Sequence, residues 1–123
     1  MIDLLAVDEA TGIAQLVGGY SPSSGHHHFP LAPVCPYTGA DDVERAVLPT
    51  TGTLWAWTAV TTAPPGYDGP IPYGFGVVEL DGIRLRVVGR LTEPDPSALH
   101  EGQAMRLVTE QLGDLTVWAF TPS

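Results

Sequence analysis

Tyr73-Gly74-Phe75-Gly76-Val77-Val78-Glu79-Leu80, followed by Asp81-Gly82 and then Ile83-Arg84-Leu85-Arg86-Val87-Val88, is the stretch whose reading decides the fold. Both flanking runs are rich in β-branched and aromatic residues, and Asp-Gly between such runs is a favoured two-residue hairpin turn, because its residues must tolerate positive φ. Working outward, residues 53–62 contain Leu54-Trp55-Ala56-Trp57-Thr58-Ala59-Val60, the strongest strand signal in the chain. With a period of two, Trp55 and Trp57 share one strand face, which reads as the face turned to a core. On the other side, residues 93–99 carry two prolines and predict a turn or short helical loop, residues 104–110 alternate as a fourth strand, and Gly113-Asp114 turns the chain into a fifth at 115–120. Five short strands with one long and one short interruption match a Greek-key OB barrel in count and spacing, so the fold class expected is all-β.

Ahead of the barrel, residues 2–7 and 13–17 are apolar and strand-like, and residues 8–12 supply turn chemistry, so an N-terminal hairpin is expected. An amphipathic helix competes with it, but Gly12 and the Gly18-Gly19 pair work against a helix. Residues 20–42 turn to Ser, Pro, Gly and His with little periodicity, a loop-rich stretch that needs something to hold it. Residues 43–48 predict a short strand and 49–52 a turn. The organisation expected is therefore an N-terminal segment over residues 1–48 and a barrel domain over 49–123. Within the barrel, residues 63–72 hold Pro64, Pro65, Pro70 and Pro72, a long stiffened connection.

Composition narrows the function classes. The 123 residues carry a net charge of −9, with no lysine and five arginines, so the counterion release that drives nucleic-acid binding is missing and no nucleic acid is expected as a partner. An anionic membrane surface is disfavoured for the same reason, and no apolar run approaches the roughly 20 residues that span a bilayer. Met1 to Leu5 lacks a basic flank and is soon followed by Asp8 and Glu9, which does not read as a secretory signal; a cytoplasmic location is expected. A lone Cys35 forms no internal disulfide.

Gly25-His26-His27-His28-Phe29-Pro30, Pro33-Val34-Cys35-Pro36-Tyr37-Thr38-Gly39 and Gly52-Thr53-Leu54-Trp55-Ala56-Trp57-Thr58, in this order and spacing, resemble the DUF35 family. The similarity runs from about Gly18 to the C-terminus and includes Ala63-Pro64-Pro65-Gly66-Tyr67. The resemblance implies a rubredoxin-like zinc ribbon joined to an OB fold associated with acyl-CoA chemistry. In the family the ribbon is Cys-x-x-Cys-Gly followed by Cys-Pro-x-Cys-Gly; here the matching positions are Ser21, Ser24, Cys35 and Thr38. Hydroxyls are poor zinc ligands because their protons leave only at very high pH, so a degenerate, metal-free ribbon is expected and no cofactor. His26, His27 and His28 beside Cys35 leave a distorted metal site as the competing reading. Cys35 as a nucleophile activated by a neighbouring His is a further reading, against which its place in the vestigial knuckle explains it without catalysis. A Ser/His/Asp arrangement built on His100 lacks a Gly-x-Ser-x-Gly elbow.

Two groups of residues are binding candidates. Arg84, Arg86 and Arg90 fall on one face of a strand, with Arg106 on the next strand but outward like them, and the resemblance suggests coenzyme A as the anion they would meet. The plainer reading makes them a solvated face paired with Glu79, Asp81 and Glu110. Pro65, Tyr67 and Tyr73 on the stiff connection are candidates for a partner interface, or else a cover over the barrel end. The resemblance implies a noncatalytic accessory subunit of a thiolase-like or ketosynthase-like condensing enzyme, an aldolase or a MaoC-like hydratase, helping to build or channel an acyl-CoA site. The alternative is a free-standing binder of acyl-CoA or another small molecule.

Overall fold

A computed structural model describes residues 5–7, 14–67 and 69–123. Its strands are β1 (Leu5–Val7), β2 (Ala14–Ser21), β3 (His26–His28), β4 (Glu44–Val47), β5 (Thr51–Val60), β6 (Tyr73–Leu80), β7 (Arg86–Leu91), β8 (Ala104–Leu112) and β9 (Leu115–Pro122), with a 3-10 turn at Pro96–Ala98. The second half closes into the expected five-stranded barrel, in the order β5-β6-β7-β9-β8. All of its pairings are antiparallel except β7 with β9, which run parallel and meet only at Arg90 opposite Ala119 and Leu91 opposite Phe120. The rest of that junction is closed by a side chain: the Trp118 indole N–H donates to the Val88 carbonyl at 3.0 Å. A backbone acceptor on a diverging strand is thereby satisfied without a ladder partner.

The N-terminal hairpin is present as β1 against β2, with Leu5 opposite Leu16 and Val7 opposite Ala14; the turn expected at 8–12, and residues 2–4 and 13 of its strands, lie outside the described residues. β2 continues through Gly18 and Gly19 to Ser21 and pairs with both β3 and β4; β4 falls where residues 43–48 predict a strand, whereas the stretch that reads as loop contains the end of β2 and all of β3. Both glycines are needed for close approach: a Cβ on Gly18 would overlap the His28 carbonyl, and one on Gly19 the His28 ring. That tertiary requirement leaves no periodicity to read.

Three expectations change in the barrel. Leu80 N–H donates to the Leu85 carbonyl at 2.8 Å, so the hairpin loop spans residues 81–84 and is not a two-residue turn. Gly82 (φ 81°) and Arg84 (φ 55°) both take left-handed backbone, Ile83 folds onto the core, and β7 begins only at Arg86. A bulge in β5 leaves Trp55 unpaired between Leu54, opposite Val78, and Ala56, opposite Val77. The extra residue reverses the alternation. Trp57 therefore packs on the core, its indole donating to the Pro96 carbonyl at 2.9 Å, while Trp55 faces out at 49% exposure, so the two tryptophans do not share a face. Finally, β9 lies between β7 and β8, so the strands carrying Arg86, Arg90 and Arg106 are not neighbours.

One core serves both sheets. Leu16 of β2 and Leu48 after β4 belong to the same buried cluster as Leu54, Val78, Met105 and Phe120 of the barrel. Phe29, beyond β3, meets Trp118 of β9 edge to face at 5.3 Å.

Candidate functional site

The positions that the resemblance matches to a zinc ribbon lie on two glycine-ended turns. Gly25 N–H donates to the Ser21 carbonyl at 2.8 Å, and Gly39 N–H to the Cys35 carbonyl at 2.7 Å, each glycine at positive φ (73° and 76°). The two knuckles face each other, with Ser24 Oγ 3.5 Å from Cys35 Sγ. The Thr38 hydroxyl is the main cause holding the Cys35 thiol down at about 7; burial works against it, and Ser24 and the backbone of Tyr37 and Thr38 assist. Ser21 is completely buried and turns to Asp42, donating to Oδ1 at 2.6 Å, while Ser23 N–H donates to Oδ2 at 2.8 Å. Those bonds, Ser21 first, hold the Asp42 carboxyl at about 2. Of the four vestigial positions, Ser24, Cys35 and Thr38 are thus brought together and Ser21 is claimed by Asp42. Sequence reasoning misses Asp42; its only signal is its place shortly after the second knuckle.

The zinc that the resemblance implies does not fit these positions, which offer one sulfur among three hydroxyls already engaged in hydrogen bonds. The histidines do not supplement it, because each is directed to a different neighbour. His26 lies against Tyr37 (ring centroids 5.2 Å apart) and His27 against Tyr20 (4.6 Å). His28 is buried at 2% exposure, accepts from Ala32 N–H at Nε2 (3.2 Å), and has its pKa lowered chiefly by burial, then by His27. Among the described residues no three His, Cys, Asp or Glu side chains gather as cation ligands.

The candidate arginines occupy four separate environments. Arg84 sits in the β6–β7 loop and, with Gly25, His26, His27, Tyr37 and Ile83, lines a cleft of about 410 Å³ between the N-terminal segment and the barrel. Arg86 lies over the Trp55 ring at 4.1 Å and pairs loosely with Glu79 at 3.7 Å. Arg106 lines a cleft of about 440 Å³ with Ala14, Thr50 and Thr51. Arg90 is the most enclosed: Nε donates to Glu110 at 3.2 Å, a terminal nitrogen donates to the Tyr67 hydroxyl at 3.2 Å, and the guanidinium lies 4.6 Å from the Tyr73 ring centroid. Burial opposes its charge, but the bonds to Tyr67 and Glu110 prevail and raise its pKa. Asp81 accepts instead from Thr51, at 2.7 Å.

Arg90 also places the tyrosines. Tyr67 and Tyr73 stack at 5.0 Å, and the Tyr67 hydroxyl donates to the Pro70 carbonyl at 2.6 Å, so the connection folds back against the barrel wall. Pro65 stays exposed on it.

An apolar outer face stands beside this cluster. Phe75 of β6 (38% exposed) and Val88 of β7 (47% exposed) point outward, and the half-buried Val77 pairs with Val88. Phe75, Val88, Val117 and Trp118 wall a shallow cleft of about 330 Å³ with Arg90 among its lining. The sequence signal for this face is present in hindsight at Phe75 and Val77, which occupy strand positions opposite to the buried Val78 and Leu80.

Comparison with known proteins gives three concordant findings. A family model described as ChsH2, C-terminal OB-fold domain, matches residues 46–110. A DUF35 domain-containing scaffold protein of Pyrococcus furiosus is 31% identical over 98 residues, covering 80% of this chain and 71% of that protein. A solved structure titled Ltp2-ChsH2(DUF35) aldolase superposes with a TM-score of 0.72 at 24% identity, over 88% of this chain and 84% of that one, which shows a shared fold.

Proposed function

We propose, from the premise that this chain belongs to the DUF35 family, that it is a noncatalytic scaffold subunit of an enzyme complex. The observation that carries the reading is the outward apolar face of Phe75 and Val88 on the barrel, each more than a third exposed and walling one cleft with Val117 and Trp118. Contiguous apolar surface rimmed by charge marks an interaction site, and Arg90 lies at its rim. The reading is supported by the P. furiosus relative, a scaffold protein, and by the structural neighbour, an aldolase. The partner we assign is an aldolase or thiolase-like enzyme acting on an acyl-CoA, with the thioester reaching this chain only through that partner. A MaoC-like hydratase is the other enzyme the same surface would serve.

Affinity capture of the tagged chain from its host, with stoichiometric partners identified by mass spectrometry, tests this. The expected result is one such enzyme recovered near one-to-one, and at least about tenfold less of it with Phe75→Glu/Val88→Glu, whose melting temperature stays close to that of the parent. A chain that elutes alone, or a double variant that captures as well as the parent, overturns the assignment. Uptake of coenzyme A by the isolated chain in calorimetry would then favour a free-standing binder.

A further inference from the structure

We infer that His28 is an acid-operated latch: a second proton on its imidazole frees β3 and the chain after it from β2 and, through Phe29, loosens the barrel closure at Trp118. The ring is seated at 2% exposure where Gly19 has no side chain, since a Cβ there would overlap Nε2 and Cε1. Ala32 N–H donates to Nε2 at 3.2 Å, so the neutral ring carries its own proton on Nδ1, which is buried and has no hydrogen-bond partner among the described residues. A second proton must go to Nε2. There it sets one N–H against another, while the Nδ1 N–H still lacks an acceptor and the new charge lies shielded from solvent.

No described residue offsets that charge. His27, the neighbour on β3, repels it; His26 lies against Tyr37, and Tyr20 of β2 against His27. Ahead of β4, Asp42 is taken up by Ser21 and Ser23, while Glu44 and Arg45 on β4 are exposed. The core residues met at this corner, Leu48 beside Gly18 and Trp118 beside Phe29, carry no charge. Burial first, then His27, lowers the pKa of His28 from the ordinary 6.5. As the pH falls below 6.5, the open segment therefore takes up a proton that the closed one refuses, and closure weakens. Little else holds the segment, for β3 meets β2 in three pairs only. Phe29, the next residue, touches Trp118 edge to face at 5.3 Å, and Trp118 bonds the Val88 carbonyl across the β7–β9 junction at 3.0 Å. The latch belongs to the chain itself and operates without a partner.

The test is hydrogen exchange by NMR on the full-length chain from about pH 7.5 to about pH 5, read as protection relative to the intrinsic rate at each pH. Asp42, held at about 2, stays ionised throughout. Protection of the Ala32 amide is expected to fall by up to about tenfold per pH unit below 6.5, with that of the Trp118 indole N–H following it. His28→Gln, whose amide oxygen can accept from Ala32 and which does not titrate, should abolish the dependence. His26→Gln/His27→Gln, at exposed and half-buried positions, should keep it. Persistence in His28→Gln, loss in the double variant, or Ala32 protection that ignores pH in the parent overturns the latch. Should His28→Gln not fold, the parent's own His28 imidazole resonance decides: a ring that titrates at the ordinary 6.5 while Ala32 stays protected overturns the latch, and one that gains its proton only as Ala32 protection is lost supports it. An indole N–H whose protection holds constant while that of Ala32 falls overturns the link to the barrel.

Discussion

Asp42 fastens the turn at Ser21–Gly25 with a carboxylate that accepts from Ser21 and Ser23, and the consequence is sensitivity to acid. Its pKa in the fold is about 2 against an ordinary 3.8, so the stabilisation it provides is complete above the ordinary value and is lost as the pH falls through about 2. Replacing it with Asn should therefore lower the melting temperature at neutral pH and flatten the fall in melting temperature over that acid range. A variant that loses stability in acid as steeply as the parent would show that another group is responsible. At this scale the sequence is half legible. Ser21, Ser24, Cys35 and Thr38 are found only through the family resemblance, and three of them do converge, but the Ser21–Asp42 bond joins residues 21 apart and leaves no local pattern. The arginines are misread as a set for a related reason, since a period-two rule places side chains on a face only where the backbone is a strand, and Arg84 lies in the loop.

Among the elements, the connection over residues 61–72 depends on Arg90 for its position. The planar fork reaches Glu110 with one nitrogen and Tyr67 with another while stacking near Tyr73, a combination that an ammonium group cannot reproduce. Arg90→Lys keeps the charge and is expected to destabilise the chain by about 1–2 kcal/mol, with new protease cleavage within residues 61–72 while the barrel strands stay resistant. Cleavage distributed over the whole chain would instead mean that Arg90 supports the barrel itself. The strands β6 and β8 are legible because their alternation is regular, and β5 and β9 because β-branched and aromatic residues crowd them. The bulge at Trp55 is not, because an unpaired residue is defined only by the strand opposite. Nor does the count of strands reveal their spatial order, and that order separates Arg106 from Arg86 and Arg90 by a whole strand.

Taken as a whole molecule, the division at residue 48 that composition suggests marks a change of sheet and not of core, for Leu16 and Leu48 are buried with the barrel residues. Apolar burial shared in this way ties the two sheets energetically, which no reading of local composition can detect. The barrel's own weak point is its parallel junction, two residue pairs long, held further by Thr92 N–H on the Phe120 carbonyl at 3.0 Å and by the Trp118 indole. Amide hydrogen exchange makes the consequence measurable. The Thr92 amide should exchange well ahead of that of Val78 in the long β5–β6 ladder, and Trp118→Phe should widen the gap. Equal protection at the two positions would mean that the ring opens only by global unfolding. With a clasp of two pairs, shorter than any of its other links, the ring is expected to part there and close again while the other four pairings persist.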